Sequence, residues 1–416
     1  MQFTRRAVHP CACAAPLLAV AALLALSVPV AAEGANAGAG GNAGNQACLV
    51  QQNAGRDANA ACDQEQNPDR TGRSDITVMT RNVYLGADLG PALEASTLPE
   101  AIDAAGVIWR EVHRTNFPER AVPLARELKR SRADLIGLQE VALWRQQIPS
   151  DLGAPPSGVG RPATQVRYDF LALLQRELRR IGANYRVVKV QNEFDAELPV
   201  DRDGSDATGT LFGADLDARL TMRDVILAKQ GGGVTTGATD GAHFKTRFVA
   251  TVGGVPIPAD RGWISTEARI GTGGPRFRFV NTHLEAFGDP RIREAQAREL
   301  FAPGGPLRTR KQRVLVGDLN SGTAARHNIH GRDRLAYRAL LGFGMTDNGA
   351  IHSCCYSNLF DPSEVFDHTV DHVMTKPPLR TRRAYITGDD RSQRTPSGLW
   401  PSDHGGVVSE LQLRQR

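Results

Sequence analysis

Apolar and polar positions alternate along Asp75-Ile76-Thr77-Val78-Met79-Thr80-Arg81-Asn82-Val83, a two-residue period that predicts a first strand. The period then lengthens. Between Thr97 and Thr115, Ile102, Ala105, Ile108, Trp109 and Val112 recur at helical spacing, and Pro118 opens a second helix through Arg130 with Val122, Ala125 and Leu128 inward. Ala133 to Val141 reads as a buried strand, Pro149 to Pro162 as a loop, Tyr168 to Ile181 as an amphipathic helix and Tyr185 to Val190 as the next strand. Asn192 to Thr221 is acidic and Gly-rich, and reads as a surface excursion before a strand at Arg223 to Ala228. Gly231 to Gly233 and Gly271 to Gly274 mark turns between strands, followed by a strand at Phe277 to His283 and a helix at Pro290 to Leu300. Val314-Leu315-Val316 is a buried strand, and Arg334 to Leu341 a short helix. There is no internal repeat. Strands in succession with a few interspersed helices predict an α+β domain with mixed sheets rather than a regular βαβ fold.

The strands share a habit of ending in polar side chains. Val314-Leu315-Val316 runs into Gly317-Asp318-Leu319-Asn320, whose Asp and Asn project the same way if the chain stays extended. Ile76 to Asn82, Leu135 to Glu140, Phe277 to His283 and Val370-Asp371-His372 finish in the same manner, and Ser402-Asp403-His404 precedes a last strand-like run. An isolated Asp or Asn at a strand end is ordinary turn chemistry. A set containing Asn82, Glu140, His283, Asp318, Asn320, Asp371, Asp403 and His404 is more than turns require. Asp367 and His368 lack an apolar run before them and read as loop, His243, His327, His330 and His352 as solvated, and Trp109, Trp144 and Trp263 as core or cleft wall.

Composition adds bounds. The 416 residues, 41% hydrophobic and 23% charged, are ordinary for a globular chain with a substantial core. Arg5 and Arg6, the apolar run Leu17 to Leu26 and the small residues Val30-Ala31-Ala32 form the three regions of a secretory signal, so residues 1–32 are expected to be a leader and the protein exported, secreted or periplasmic. Residues 33–73, poor in large apolar groups, read as a flexible lead-in, and 74–416 as the folded domain. The net charge of +5 falls to about +3 without the two leader arginines, a weak bias toward anionic partners. Cys48, Cys62, Cys354 and Cys355 remain after the leader and suggest disulfides, with the pairing open. No Cys-x-x-Cys spacing supports thiolate metal binding.

In order and in type, Thr80-Arg81-Asn82, Gly137-Leu138-Gln139-Glu140-Val141, Arg223-Asp224-Val225-Ile226-Leu227, Asn281-Thr282-His283-Leu284, Gly317-Asp318-Leu319-Asn320, Val370-Asp371-His372-Val373 and Ser402-Asp403-His404 resemble the motifs of the endonuclease/exonuclease/phosphatase superfamily. The resemblance spans Ser74 to Leu413. It implies a four-layer sandwich of two mixed β-sheets flanked by helices, and Mg²⁺-dependent phosphoester hydrolysis, with Mn²⁺ or Ca²⁺ as alternative cations. It implies Glu140 as principal metal ligand with Asn82 and Asp403 near the metal. Asp318 would orient or deprotonate the attacking water, and Asn320 would hold the nucleophile or a phosphoryl oxygen. His283 and His404 would face the phosphate, Asp371 would fix the ring of His404, and Arg223 would lie near the phosphate. The donor chemistry agrees, since hard cations take carboxylate oxygens and water.

The expected partner is a phosphoester, nucleic acid first, which makes the protein a nuclease. Asn82-Val83-Tyr84-Leu85, similar to the first motif of bacterial sphingomyelinases, keeps a membrane lipid or small-molecule phosphoester as the alternative. A catalytically silent binding domain is a third reading, against which the intact Glu140, Asp318, Asn320 and His404 argue. No protein partner is inferred, and a monomer is expected. A carboxylate backing His283 finds no clear match in the sequence, with Glu193 and Glu197 as candidates.

Overall fold

A computed structural model describes residues 74–152, 162–204, 211–323 and 334–415. The leader, the lead-in, Cys48, Cys62, His327 and His330 lie outside the described residues. The first sheet runs in the order β15 (Arg380–Thr387), β16 (Gly406–Gln412), β1 (Asp75–Asn82), β2 (Leu135–Gln139), β6 (Leu216–Lys229), β3 (Leu143–Gln147) and β4 (Gln165–Asp169), and β5 (Tyr185–Val200) also pairs with β6. The second runs β13 (Thr346–Asp347), β14 (Asp371–Lys376), β12 (Gln312–Asp318), β11 (Arg276–His283), β10 (Gly262–Ile270) and β7 (Val234–His243). A separate hairpin joins β8 (Phe248–Val252) to β9 (Val255–Ala259). Both large sheets are mixed: β1 with β2 and β11 with β12 are parallel, and their other pairings are antiparallel.

Ile76, Val78, Leu135 and Ile226 from the first sheet meet Ile264, Phe277, Phe279, Val314 and Val316 from the second in a fully apolar layer. Helices close the outer faces. α1 (Gly90–Glu94), α2 (Leu98–Arg114), α3 (Phe117–Ser131) and α4 (Phe170–Arg180) contribute to the core on the first sheet, and α5 (Pro290–Glu299) and α6 (Leu335–Gly342) to the one on the second. The result is the four-layer α+β sandwich. α2 begins where Thr97 accepts from the Glu100 N–H and the Glu100 side chain returns to the Thr97 N–H, a capping box that satisfies two otherwise orphaned donors. In α3 the inward face is Ala121, Leu124, Ala125 and Leu128, with Val122 rotated to the margin.

One expectation fails. Asn192 to Val200 is no excursion: it continues β5, and Leu216 to Thr221 begins β6, so much of the segment is a two-stranded ribbon. Its acidic positions are paired, as in the Arg219–Asp195 bridge at 2.6 Å, and so stay compatible with a strand.

Near one end of the sandwich the apolar layer gives way to a polar seam. The Gln139 amide donates to Asn281 Oδ1 at 2.6 Å, and the Asn281 amide donates to the Leu138 carbonyl at 3.0 Å, which ties sheet to sheet. Beside them sits Gly137, where a Cβ would fall 2.4 Å from Asn281 Oδ1 and 2.5 Å from Val316 Cγ2. Only glycine leaves room for these two side chains against the β2 backbone.

Candidate active site

Parallel strands finish at the same edge, and that fact assembles the site. Asn82 at the end of β1 pairs with Gln139, one residue before Glu140, and His283 at the end of β11 pairs with Asp318 at the end of β12. The antiparallel strand β14 starts at this edge, with Asp371 opposite Asp318, and Asp403 and His404 immediately precede β16. Glu140 and Asn320 sit just past their strands with φ of +57° and +46°, and Tyr84 has φ +58°. Left-handed backbone at non-glycine residues costs energy and gathers where geometry serves function.

Asn82 stands between the two sheets. Its amide donates to Glu140 Oε1 at 3.0 Å and to Asp318 Oδ2 at 3.1 Å, while its carbonyl oxygen accepts from the Tyr84 N–H. Glu140 Oε2 accepts from the Leu85 N–H at 2.8 Å. Asp318 Oδ1 accepts from the Asn320 N–H at 2.8 Å, and its Oδ2 lies 3.6 Å from His283 Nε2 and 3.7 Å from His404 Nε2. The Asn320 amide donates to the Leu284 carbonyl at 2.9 Å and lies 3.2 Å from His283 Nε2. Asp371 Oδ2 holds His404 Nδ1 at 2.8 Å and also accepts from Ser353 Oγ at 2.7 Å. Asp403 borders the same cavity as Glu140, Asp318 and both histidines.

Their surroundings push the two histidines in opposite directions. Burial, the Arg261 guanidinium and His404 together hold His283 well below the usual imidazole range, so its ring is neutral. Arg261 lies 3.0 Å from Nδ1 and 3.5 Å from Nε2 of that ring, against it, in the place where a backing carboxylate was sought. Glu193 instead lies beside Gln191 and His243, and Glu197 accepts from the Ala163 N–H. Burial also disfavours the His404 cation, but Asp371, Asp403 and Asp318 outweigh it and raise His404 well above the ordinary value. Between the rings, burial and the nearby Asp371 push Asp318 up to about 7, and burial and Glu140 push Asp403 up to about 6 despite the opposing pull of His404.

Asp318 and Asp403 hold protons more tightly than ordinary carboxylates even with His404 beside them, and that is the fit test for a cation. Asp224, buried with neither oxygen hydrogen-bonded, is pushed up to about 8 by burial and by Glu140 and Asp318, against the pull of Arg261. Asp318 and Asp403, oxygen donors of raised proton affinity on one cavity, suit a hard divalent cation. Asp318, Asp371 and His404 also bring ligand atoms within 4.8 Å of one another, but Asp371 already occupies His404 Nδ1, which makes that group a proton-holding one. Cys354 and Cys355 lie with their sulfurs in contact, and the Cys354 sulfur is 3.6 Å from His404 Nε2.

Arg223 does not join the group. Neighbours on a strand face opposite ways, and while Asp224 feels Glu140 and Asp318, the Arg223 guanidinium donates to the Val141 and Ala142 carbonyls and to Asp169 at 2.6 Å. It holds the turn after Glu140. Two buried arginines with no role expected from their motifs do similar work. Arg120 donates to the carbonyls of Val83, Tyr84, Thr115 and Pro401, and Arg81 donates to the His404 carbonyl while pairing with Glu127 at 3.1 Å. Together they bind the loop after Asn82 to the loop that carries Asp403.

No curated protein matches the sequence. Among solved structures, an endonuclease/exonuclease/phosphatase family protein from Bacteroides thetaiotaomicron aligns at 15% identity over 82% of this chain and 98% of its own, with a TM-score of 0.49. A mannosyl-6-phosphatase from the same organism aligns at 16% identity over 81% of this chain and 99% of its own (TM-score 0.46), and the catalytic domain of human Nocturnin at 18% over 82% and 96% (TM-score 0.41). The model of the Endonuclease/Exonuclease/phosphatase family matches residues 79–404, from within β1 to His404. The chain therefore belongs to the endonuclease/exonuclease/phosphatase family, and is a hydrolase of phosphoesters.

Proposed function

We propose that this chain is an exported phosphodiesterase that directs water in line at a phosphorus atom with the help of one divalent cation, Mg²⁺ first and Mn²⁺ or Ca²⁺ as alternatives. The observation that carries the reading is a basic carboxylate, Asp318, set between one neutral and one charged histidine. Glu140 and Asp403, with Asn82 beside them, would hold the cation, which when bound neutralises charge on the phosphoryl group. Asp318, whose proton affinity is poised near neutral pH, accepts the proton of the attacking water. Asn320 positions that water or a phosphoryl oxygen. His283, neutral, offers an N–H to the phosphoryl group without adding a charge. His404, kept as a cation, gives its proton to the departing oxygen, with Asp371 fixing its ring. Export rests on the basic, apolar and small-residue succession over residues 5–32.

Protein purified from culture medium, stripped with EDTA and supplied with methyl p-nitrophenyl phosphate, is expected to turn over only once Mg²⁺, Mn²⁺ or Ca²⁺ is added back. Turnover undiminished by excess chelator, or none with any of the three ions, defeats the proposal. Nucleic acid, the first expectation from the sequence, becomes the alternative substrate, and plasmid DNA and RNA belong in the same assay. Arg81, Arg120, Arg223, Arg261 and Arg293 around the site are buried and engaged with protein groups, so the geometry favours a smaller phosphodiester.

The charge of His404 sets a pH dependence. Its raised pKa means the cation persists below that value and is lost as pH rises through it, so activity falls on the alkaline side. Asp371→Asn removes the largest of the charges that raise it. The alkaline limb of kcat/KM is therefore expected to move to lower pH in this variant. A limb that stays in place would show that His404 is not the proton donor.

A further inference from the structure

A cavity of about 470 Å³, within the size range of small-molecule sites, opens from the catalytic groups and runs away from them between α2, the β5–β6 ribbon and the β8–β9 hairpin. Away from the catalytic groups its lining is mostly apolar. The ribbon turns an apolar face toward it: Phe194, Ala196 and Leu198 alternate along β5 beside Ala218, Leu220 and Met222 on β6, with Ala196 opposite Leu220 and Leu198 opposite Ala218. The intervening Asp195, Arg219 and Thr221 bond to one another away from it. Ile108 and Trp109 of α2 form a second wall, and Phe248, Ala250 and Val252 of the hairpin a third. Interiors leave few voids larger than a water molecule. The space here is kept open by alanines at 105, 196, 218 and 250, and it is continuous with Asp318, Asn320 and both site histidines.

We propose that this cavity receives the hydrophobic part of the substrate, and that the substrate is an amphiphilic phosphodiester, a phosphate carrying an alkyl chain or an aromatic group. The proposal rests on the phosphodiesterase reading above and adds the substrate class. The even positions of β6 connect the two functions, because the face that presents Ala218, Leu220 and Met222 continues to Asp224 behind the carboxylates. An apolar group seated on that face leaves its phosphate at the polar end. A polynucleotide, with charges all along its backbone, gains nothing from such a wall.

The test is a series of p-nitrophenyl phosphodiesters whose second ester group is methyl, butyl or octyl, assayed with the cation that supports turnover. Burial of each methylene is expected to raise kcat/KM about threefold until the cavity fills, so that octyl exceeds methyl by roughly 100-fold or more. Ala218→Phe and Ala250→Phe, which fill the space from opposite walls, are each expected to flatten the ratio of octyl to methyl. Calorimetric binding of octyl phosphate against methyl phosphate gives the same comparison without turnover. Equal kcat/KM across the series, or plasmid DNA cleaved with higher efficiency than the octyl ester, overturns the proposal. Tight octyl phosphate binding without hydrolysis of any ester leaves the cavity assignment standing and removes the phosphodiesterase reading instead.

Discussion

Asp318→Asn is expected to lower kcat by roughly 10³-fold, in the range typical for loss of a positioned acid or base, while KM stays within a few-fold of wild type. Asparagine keeps the size of the side chain and an oxygen to accept the Asn320 N–H, so the turn beyond β12 is preserved. What disappears is the proton acceptor between His283 and His404. The same substitution relieves the burial of an ionisable group, the largest cause of its raised pKa, but turns an NH2 toward the Asn82 amide, so the variant should melt close to wild type. Steady-state kinetics beside a thermal melt check both halves. A folded variant retaining kcat within about tenfold of wild type would take the proton-accepting role away from Asp318.

Glu140→Gln should separate the cation from the rest of the chemistry. The glutamine can still accept from either the Asn82 amide or the Leu85 N–H, but it loses the charge on which the proposed role of Glu140 as a ligand depends. The cation concentration for half-maximal activity is expected to rise by at least about 100-fold, the upper end of what is lost when ligand-supporting groups are removed. Activity measured against added Mg²⁺ after chelation gives this directly. Wild-type dependence in the variant would place the cation elsewhere. Because Asn82 bridges Glu140 and Asp318, some loss of kcat at saturating cation is also expected.

Much of this was visible in the chain. The strand from Asp75 and the helix from Leu98 follow their apolar periods to within a residue or two, and every strand ending singled out for its polar tip comes to the same edge of the sandwich. The failures have physical causes. The ribbon was missed because acidic residues were read as solvated loop, although Phe194-Asp195-Ala196-Glu197-Leu198 alternates as strictly as β1 does. With one face apolar and the other occupied by ion pairs, such a strand reads as polar in composition. In Arg223-Asp224 the motif was recognised and the wrong neighbour chosen, because the strand's facing was not followed through to Met222 and Leu220. Arg81, Arg120 and Arg261 escaped notice for another reason: arginine is rarely fully buried, and nothing local announces the carbonyls and ring that receive it. They order the site from behind, through groups distant in sequence.

Asn82, Glu140 and His404 come from one sheet, while His283, Asp318, Asn320 and Asp371 come from the other. On the proposed roles, the span between the cation ligands and the group that activates water is the thickness of the sandwich at that end. That thickness is gauged by Gly137 and by the amide contact of Gln139 with Asn281, none of which touches a reacting atom. The protein thus keeps its most demanding tolerance in a spacer rather than in the tools themselves, and a single added methyl there would open the jaws of an otherwise intact instrument.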